Sequence, residues 1–373
     1  MQEPSTIVGL DVHRNTISFC VLKPYEREPW NGQISNHPSQ VRKLVQRIKA
    51  QAQGPVHCCY EAGPCGYVLQ RDLNAQDCEC TVIAPSLTPL RPGDHVKTDR
   101  RDARKLAELF RAGLLTEVHP PSVDEEAVRD LCRCRDDARV DLTRARHRLT
   151  HFLLRRGLVF GEGQQHSWSQ RHRTWLTSLV FERASERIVF EDYLLAVEQR
   201  EAQRAALDAE LLAISRSEPW RERVGWLRCF RGIDTVNAMI LLSELHDVRR
   251  FPSAPSLMAF LGLVPSESSS GDRHRRGGIT RAGNQHVRRT LIEASWNYRH
   301  KPRVSKDLAD RRVGQPLAMI ALADRAQRRL CRRFRRMESR GKHRNKIVIA
   351  VARELVGFVW AALTLPQVAT ARG

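Results

Sequence analysis

Four carboxylates stand where the ends of strands and helices would project them. Asp11 closes one apolar, β-branched run and Glu61 closes another. Asp99 and Asp102 lie three residues apart, on one face of the helix expected over 98–112. In an α/β arrangement, strand ends and the N-terminus of a following helix can converge. Four acids there make an all-oxygen site suited to one or two Mg2+ ions. Two such ions activate an attacking oxygen and stabilise a leaving one in phosphoryl transfer. Singly, each acid also has a plain structural role: Asp11 can end a strand and Asp99 can cap a helix. Their joint order is what carries the pattern.

A second constellation is rich in serine and arginine. Gly262-Leu263-Val264-Pro265 precedes Ser266-Glu267-Ser268-Ser269-Ser270-Gly271, and Arg273, Arg275, Arg276 and Arg281 follow, with Arg288 and Arg289 beyond them. Serines beside glycine can present a hydroxyl where the backbone approaches a ligand. Arginines can hold a scissile phosphate and stabilise its developing charge. The hydroxyl is a weak nucleophile that needs a base or a metal-polarised phosphate. By composition alone, such a segment is a flexible loop.

The elements that position these residues follow from periodicity. Residues 5–11 and 16–22 read as a hairpin with a short polar turn. Val41, Leu44, Val45 and Ile48 share a helical face within 39–53. Val56–Glu61 and Cys80–Ala84 read as strands, 66–75 and 98–112 as helices, the latter with Thr98 or Asp99 near its N-cap. This is an α/β domain over 1–120. Small or apolar residues then recur at 127, 131, 134, 138, 142, 145, 149 and 152, close to a heptad seam. With a second helical run over 188–215 and a loop over 161–173, residues 121–218 read as a coiled-coil middle. Residues 219–373 read as mainly α. There Phe230–Asp234 reads either as the tight turn of a helix-hairpin-helix, whose amides can hold a DNA phosphate, or as an ordinary connection between helices. Residues 261–283 cannot be a simple helix, and helices follow near 284–300, 315–338 and 346–364.

Charge bears on partners. The chain has 373 residues and a net charge of +20, and residues 271–346 alone carry 23 Lys and Arg against 6 Asp and Glu. A basic span this concentrated reads as a nucleic-acid footprint, with donor and target DNA as partners. Its few aromatics form no stripe, which argues against a membrane surface. The N-terminus has no basic segment followed by an apolar run, and Arg353 and Glu354 interrupt the apolar stretch 347–365. A cytoplasmic protein is expected. The ten cysteines contain no C-x-x-C pair and read as reduced thiols rather than a zinc site.

Together the GLDVH opening, the Glu61-Ala62-Gly63 strand end, Lys97-Thr98-Asp99-Arg100-Arg101-Asp102-Ala103 and GLVPSESSSG…GGITRAGNQHVRR resemble the DEDD transposases of the IS110/IS1111 insertion sequences. The resemblance covers nearly the whole chain. It implies an RuvC-like, ribonuclease-H-type first domain and a C-terminal transposase domain. It implies that Asp11, Glu61, Asp99 and Asp102 hold the metal. It also implies that a serine before the glycine, Ser270 first, then Ser269 and Ser268, forms a covalent phosphoserine link to DNA. A structured bridge RNA that pairs with donor and target DNA is implied too, as are homodimers and homotetramers in which one subunit's acids meet another's serine. The sequence departs from the pattern at Arg14 and Arg281, where relatives often carry Lys. It departs again at Arg231-Gly232-Ile233-Asp234, where a P-G-I-G turn is usual.

Three other readings compete. A structure-selective nuclease would use the same acids with water as nucleophile. An actin-like small-molecule kinase shares the first hairpin but lacks a second phosphate loop. A non-catalytic nucleic-acid binder has no need of four converging acids.

Overall fold

A computed structural model describes residues 4–26, 28–89, 98–161, 168–270 and 273–364. The chain divides into two compact units, Met1–Pro121 and Ser122–Gly373.

The first unit is built on a six-stranded sheet. Strands β1 (Thr6–Val12) and β2 (Thr16–Leu22) form the expected hairpin, Asp11 opposite Ser18. Strand β3 (Trp30–Ser35) extends it, while β4 (Val56–Glu61) and β5 (Glu79–Ile83) run parallel to β1 on its other side. A short β6 (Glu117–Val118) gives the order β3-β2-β1-β4-β5-β6. Strand β3 was not expected: WNGQIS is polar and only partly buried, as suits an edge strand. Three helices complete the unit: α1 (Pro38–Gln51), α2 (Val68–Asn74) and α3 (Asp99–Arg111).

Side chains alternate across β1 with the period of two that a strand imposes. Val8 and Leu10 pack with Val41, Leu44, Val45 and Ile48 of α1, the face that periodicity predicts. Each such side chain contributes about 1.5–3 kcal/mol when fully buried. Ile7 points the other way and packs with Ala103 and Ala107 of α3.

The second unit is helical: α4 (Val123–Leu154), α5 (Gln170–Thr177), α6 (Ala184–Ile214), α7 (Arg221–Arg228), α8 (Thr235–Leu245) and α9 (Ala254–Phe260). A two-stranded ribbon, β7 (Pro265–Ser270) and β8 (Arg273–Ile279), follows where a helix was excluded. Helices α10 (Gln285–Ser295), α11 (Lys306–Arg312), α12 (Leu317–Glu338) and α13 (Arg344–Thr364) close the chain. Ser122 starts α4 with a capping box to Glu125. Helix α6 lies antiparallel to α4, tied by Arg135–Asp208 (2.7 Å), Arg146–Glu201 (2.5 Å) and Arg156–Glu186 (3.4 Å).

Two expectations here need correction. From Ala138 onward the buried face of α4 follows the seam, through Leu142, Ala145, Leu149 and Phe152. Before it, Val128 and Cys132 are buried while Ala127 and Cys134 are exposed. In that stretch α4 packs against α8 in the main core, so a different face turns inward. A straight helix also drifts about 20° per heptad from a strict repeat. The second correction concerns the loop expected at 161–173, because Gln170–Arg173 opens α5. Ser169 caps that helix, and His172 and Leu176 turn inward toward Phe160, Trp168 and Trp175.

Helix α13 is long and apolar enough to cross a membrane by length and composition. Here Val351, Leu355, Val356 and Val359 are fully buried in the core of the second unit. All ten cysteines are free thiols, and only Cys65 and Cys134 are not buried.

Candidate active site

Strand parity decides which way the acids face. Asp11 shares its side of β1 with Ile7 and Gly9, the side covered by α3. Glu61 shares its side of β4 with Cys59, which packs with Ile83 and Leu106 of α3. Leu10 pairs with Tyr60 in the parallel ladder, so the two acids leave the sheet at the same end of neighbouring strands. Thr98 caps α3 by accepting the Arg101 amide, which places Asp99 and Asp102 in the first turn. Acidic side chains there are favoured by the helix dipole. Asp99 is four residues from Ala103, in the row against β1, and Asp102 is four from Leu106, in the row against β4 and β5.

Close approach of helix and strand depends on Gly9. A Cβ at that position would collide with the carbonyl oxygen of Ala103 and sit 2.6 Å from the Ala107 nitrogen. The missing side chain lets the start of α3 reach the end of β1.

The outcome is a tight group. Donor atoms of Asp11, Asp99 and His13 all lie within 4.8 Å of one another. His13 Nε2 is 3.2 Å from Asp11 Oδ2 and 3.7 Å from Asp99 Oδ1. Burial pushes the Asp11 carboxyl above the usual carboxylate range; Asp99 and Asp102 push it the same way, and His13 opposes them. Concentrated negative charge of this kind suits a divalent cation. Glu61 stands at the adjacent strand end but outside the group of three, its Oε1 accepting from the Thr88 hydroxyl at 2.9 Å. Sequence reasoning gave His13 no role. Its signal was its spacing, because residues 11 and 13 of an extended chain share a face.

The serine motif belongs to the second unit. Ser268, Ser269 and Ser270 pair along the ribbon with Arg275, His274 and Arg273. Gly271, Asp272 and the side chains of Ser269, Ser270, Arg273 and Arg276 lie outside what the structure describes, as does Lys97. Arg275 and Arg281 are exposed. Arg288 is committed to the foot of the ribbon, where it donates to the carbonyls of Leu261 (3.0 Å) and Ala282 (2.8 Å). Arg289 pairs with Asp136 at 2.7 Å. Beneath the ribbon, Glu244 is buried and accepts from Arg133 (2.8 and 3.0 Å) and from Asn284 (2.6 Å). These charged hydrogen bonds hold its carboxyl below the usual range although burial opposes them.

The turn between α7 and α8 is formed by Gly232 at φ 85° and capped by Asp234, which accepts the Asn237 amide at 2.8 Å. Its surroundings mix Arg231, Arg303 and Arg311 with Glu293 and Asp307. Arg231 and Arg311 already donate to the carbonyls of Lys301 and Ile233. Helix α12 presents Arg325, Arg328, Arg332, Arg335 and Arg336 to solvent, opposite a face buried through Leu322, Ala326, Leu330 and Phe334.

Comparison with known families matches both units. Residues 8–156 match a DEDD transposase family, and residues 226–309 match the family described as Transposase IS116/IS110/IS902. The protein y4qE of Sinorhizobium fredii, described as a transposase, is 38% identical over 95% of this chain and 87% of its own. The transposase for insertion sequence element IS1533 of Leptospira borgpetersenii is 36% identical over 90% of this chain and 97% of its own. The chain belongs to the IS116/IS110/IS902 transposase family. This transposase is therefore a DNA recombinase, its substrates are DNA, and its DEDD domain implies use of a divalent metal.

Proposed function

We propose that this transposase cuts and rejoins the ends of its own element through a serine-linked intermediate. Asp11, Glu61, Asp99 and Asp102, in an RuvC-like domain of the ribonuclease-H type, would hold Mg2+. The observation that carries the reading is the convergence of Asp11 and Asp99 at one strand end, with Asp102 close enough to raise the Asp11 carboxyl. Bound there, the metal would polarise the scissile phosphate and stabilise the leaving oxygen.

In the proposed step, the Oγ of Ser270, or of Ser269, bonds to the scissile phosphorus. The bond from that phosphorus to the leaving deoxyribose oxygen breaks, and the hydroxyl proton ends on that oxygen. Rejoining runs the same exchange in reverse with a different DNA end. Arg273, Arg275, Arg276, Arg281, Arg288 and Arg289 are proposed to steady the nucleic acid, Arg288 and Arg289 only from within the contacts they already make. The paired helices α4 and α6 are proposed as a coiled coil of a dimer or tetramer in which one subunit's acids serve another's serine. A bridge RNA on the basic surface would select donor and target, and the reaction would take place in the cytoplasm.

The test is to incubate the protein with DNA carrying its element's ends in Mg2+. Wild type should give a protein–DNA adduct that survives denaturation. A Ser269→Ala, Ser270→Ala double variant should give none, and Asp11→Ala should neither cleave nor form adduct while still binding RNA. Cleaved DNA without any adduct would mean that water attacks, as in a structure-selective nuclease.

A further inference from the structure

The geometry points to His13 as a nitrogen ligand of the divalent cation held by Asp11 and Asp99, so that the site takes Mn2+ more tightly than an all-oxygen site would. This rests on the acid-cluster reading above and adds a donor of a different chemical kind.

His13 occupies the turn between β1 and β2, and its backbone is fixed on both sides. Its N–H donates to the Thr16 carbonyl at 2.9 Å, and its carbonyl accepts from the Asn36 side chain at 2.8 Å. Strand parity turns the imidazole to the face that carries Asp11. Nε2 lies 3.2 Å from one carboxylate and 3.7 Å from the other. Three donors within 4.8 Å of one another can share one cation at about 2.0–2.4 Å from each. His13 is the nitrogen donor of that group among the described residues.

A neutral imidazole is a common metal ligand. Mg2+ gains little from it, because it prefers oxygen and keeps much of its water. Mn2+ accepts carboxylate and imidazole together. An ordinary ion pair is the competing account: a protonated His13 would bridge Asp11 and Asp99 and withdraw when a cation enters. The two accounts differ in whether nitrogen is bound to the metal.

Mn2+ is the probe, added to the full-length protein without nucleic acid and followed by electron paramagnetic resonance. The wild type should bind Mn2+ with a resolved nitrogen coupling from an imidazole. His13→Asn should lose that coupling and bind Mn2+ at least about tenfold more weakly, the scale on which even outer partners of metal ligands count. Its Mg2+ affinity, read by competition, should change little. Mn2+ bound at wild-type strength without nitrogen coupling overturns the role of His13 and leaves the acids as the site. Equal Mn2+ binding by wild type and Asp11→Asn overturns the acid-cluster reading itself.

Discussion

Gly9 of β1 faces the carbonyl oxygen of Ala103 in α3 with no room between them for a methyl group. Ala103 and Ala107 are fully buried in that contact. The distance from the end of β1 to the start of α3, and hence from Asp11 to Asp99, is set by a hydrogen atom at residue 9.

Gly9→Ala should therefore damage the site from a distance. Forcing a methyl against backbone atoms costs about 1–3 kcal/mol, which a urea melt will show as a lower midpoint. Because α3 must shift, Mg2+-dependent cleavage should fall more than the residual stability accounts for. A Gly9→Ala protein with native stability and native cleavage would remove the argument.

Arg133→Met should destabilise the second unit by about 3 kcal/mol, since it strips two charged hydrogen bonds from the buried Glu244. The double variant Arg133→Met, Glu244→Leu should recover much of the loss, because no unpaired charge then remains. Equal loss in both variants would show that packing of the arginine stem, not charge, is what matters.

His246 gives a pH prediction. It is buried in a strained conformation at φ 54°, and burial holds its pKa at about 4 against an ordinary 6.5, with Glu125 opposing and Arg129 and Arg250 assisting. Below pH 6.5 the unfolded chain takes up a proton that the folded chain refuses. Stability should fall as pH drops from 6.5 to about 4, by about 3 kcal/mol, and show no further contribution below that. In His246→Gly, which accepts the backbone conformation, this part of the pH profile should vanish relative to wild type. Parallel profiles for the two proteins would disprove it.

Nucleic-acid affinity should fall steeply with salt. Each phosphate contact adds about 0.9 to the slope of log affinity against log salt for B-form DNA. Arg275→Gln and Arg281→Gln, both at exposed positions, should each lower that slope by about 1. Arg288→Gln should chiefly lower the melting temperature, since that guanidinium braces the carbonyls of Leu261 and Ala282. A slope unchanged in all three variants would place the contact surface elsewhere, with α12 the next to test.

Local signals carried most of the first unit. The β1–β2 hairpin, the buried face of α1 and the cap at Thr98 depend on near neighbours and were legible. Strand β3 was not, because its order comes from pairing with β2 rather than from its own polar sequence. The face change at Val128 and Cys132 was hidden for the same reason: it depends on α8, more than a hundred residues away in the chain. At the site, Asp11 and Asp99 could be anticipated from the ends of their elements. His13 was signalled only by its two-residue spacing from Asp11, its reach to Asp99 needing the folded site, and the backbone duties of Arg288 required the folded ribbon.

The long helix α4 also sets a ruler. Val128 is packed in the main core and Phe152 in the cluster at the opposite end of the helix pair, 24 residues apart on one unbroken helix. At about 1.5 Å per residue they are separated by roughly 36 Å. One turn of B-form duplex has about the same length. The helix pair therefore gives the second unit two packed ends, the main core and the aromatic cluster, spaced by a rigid rod about as long as one helical repeat of DNA.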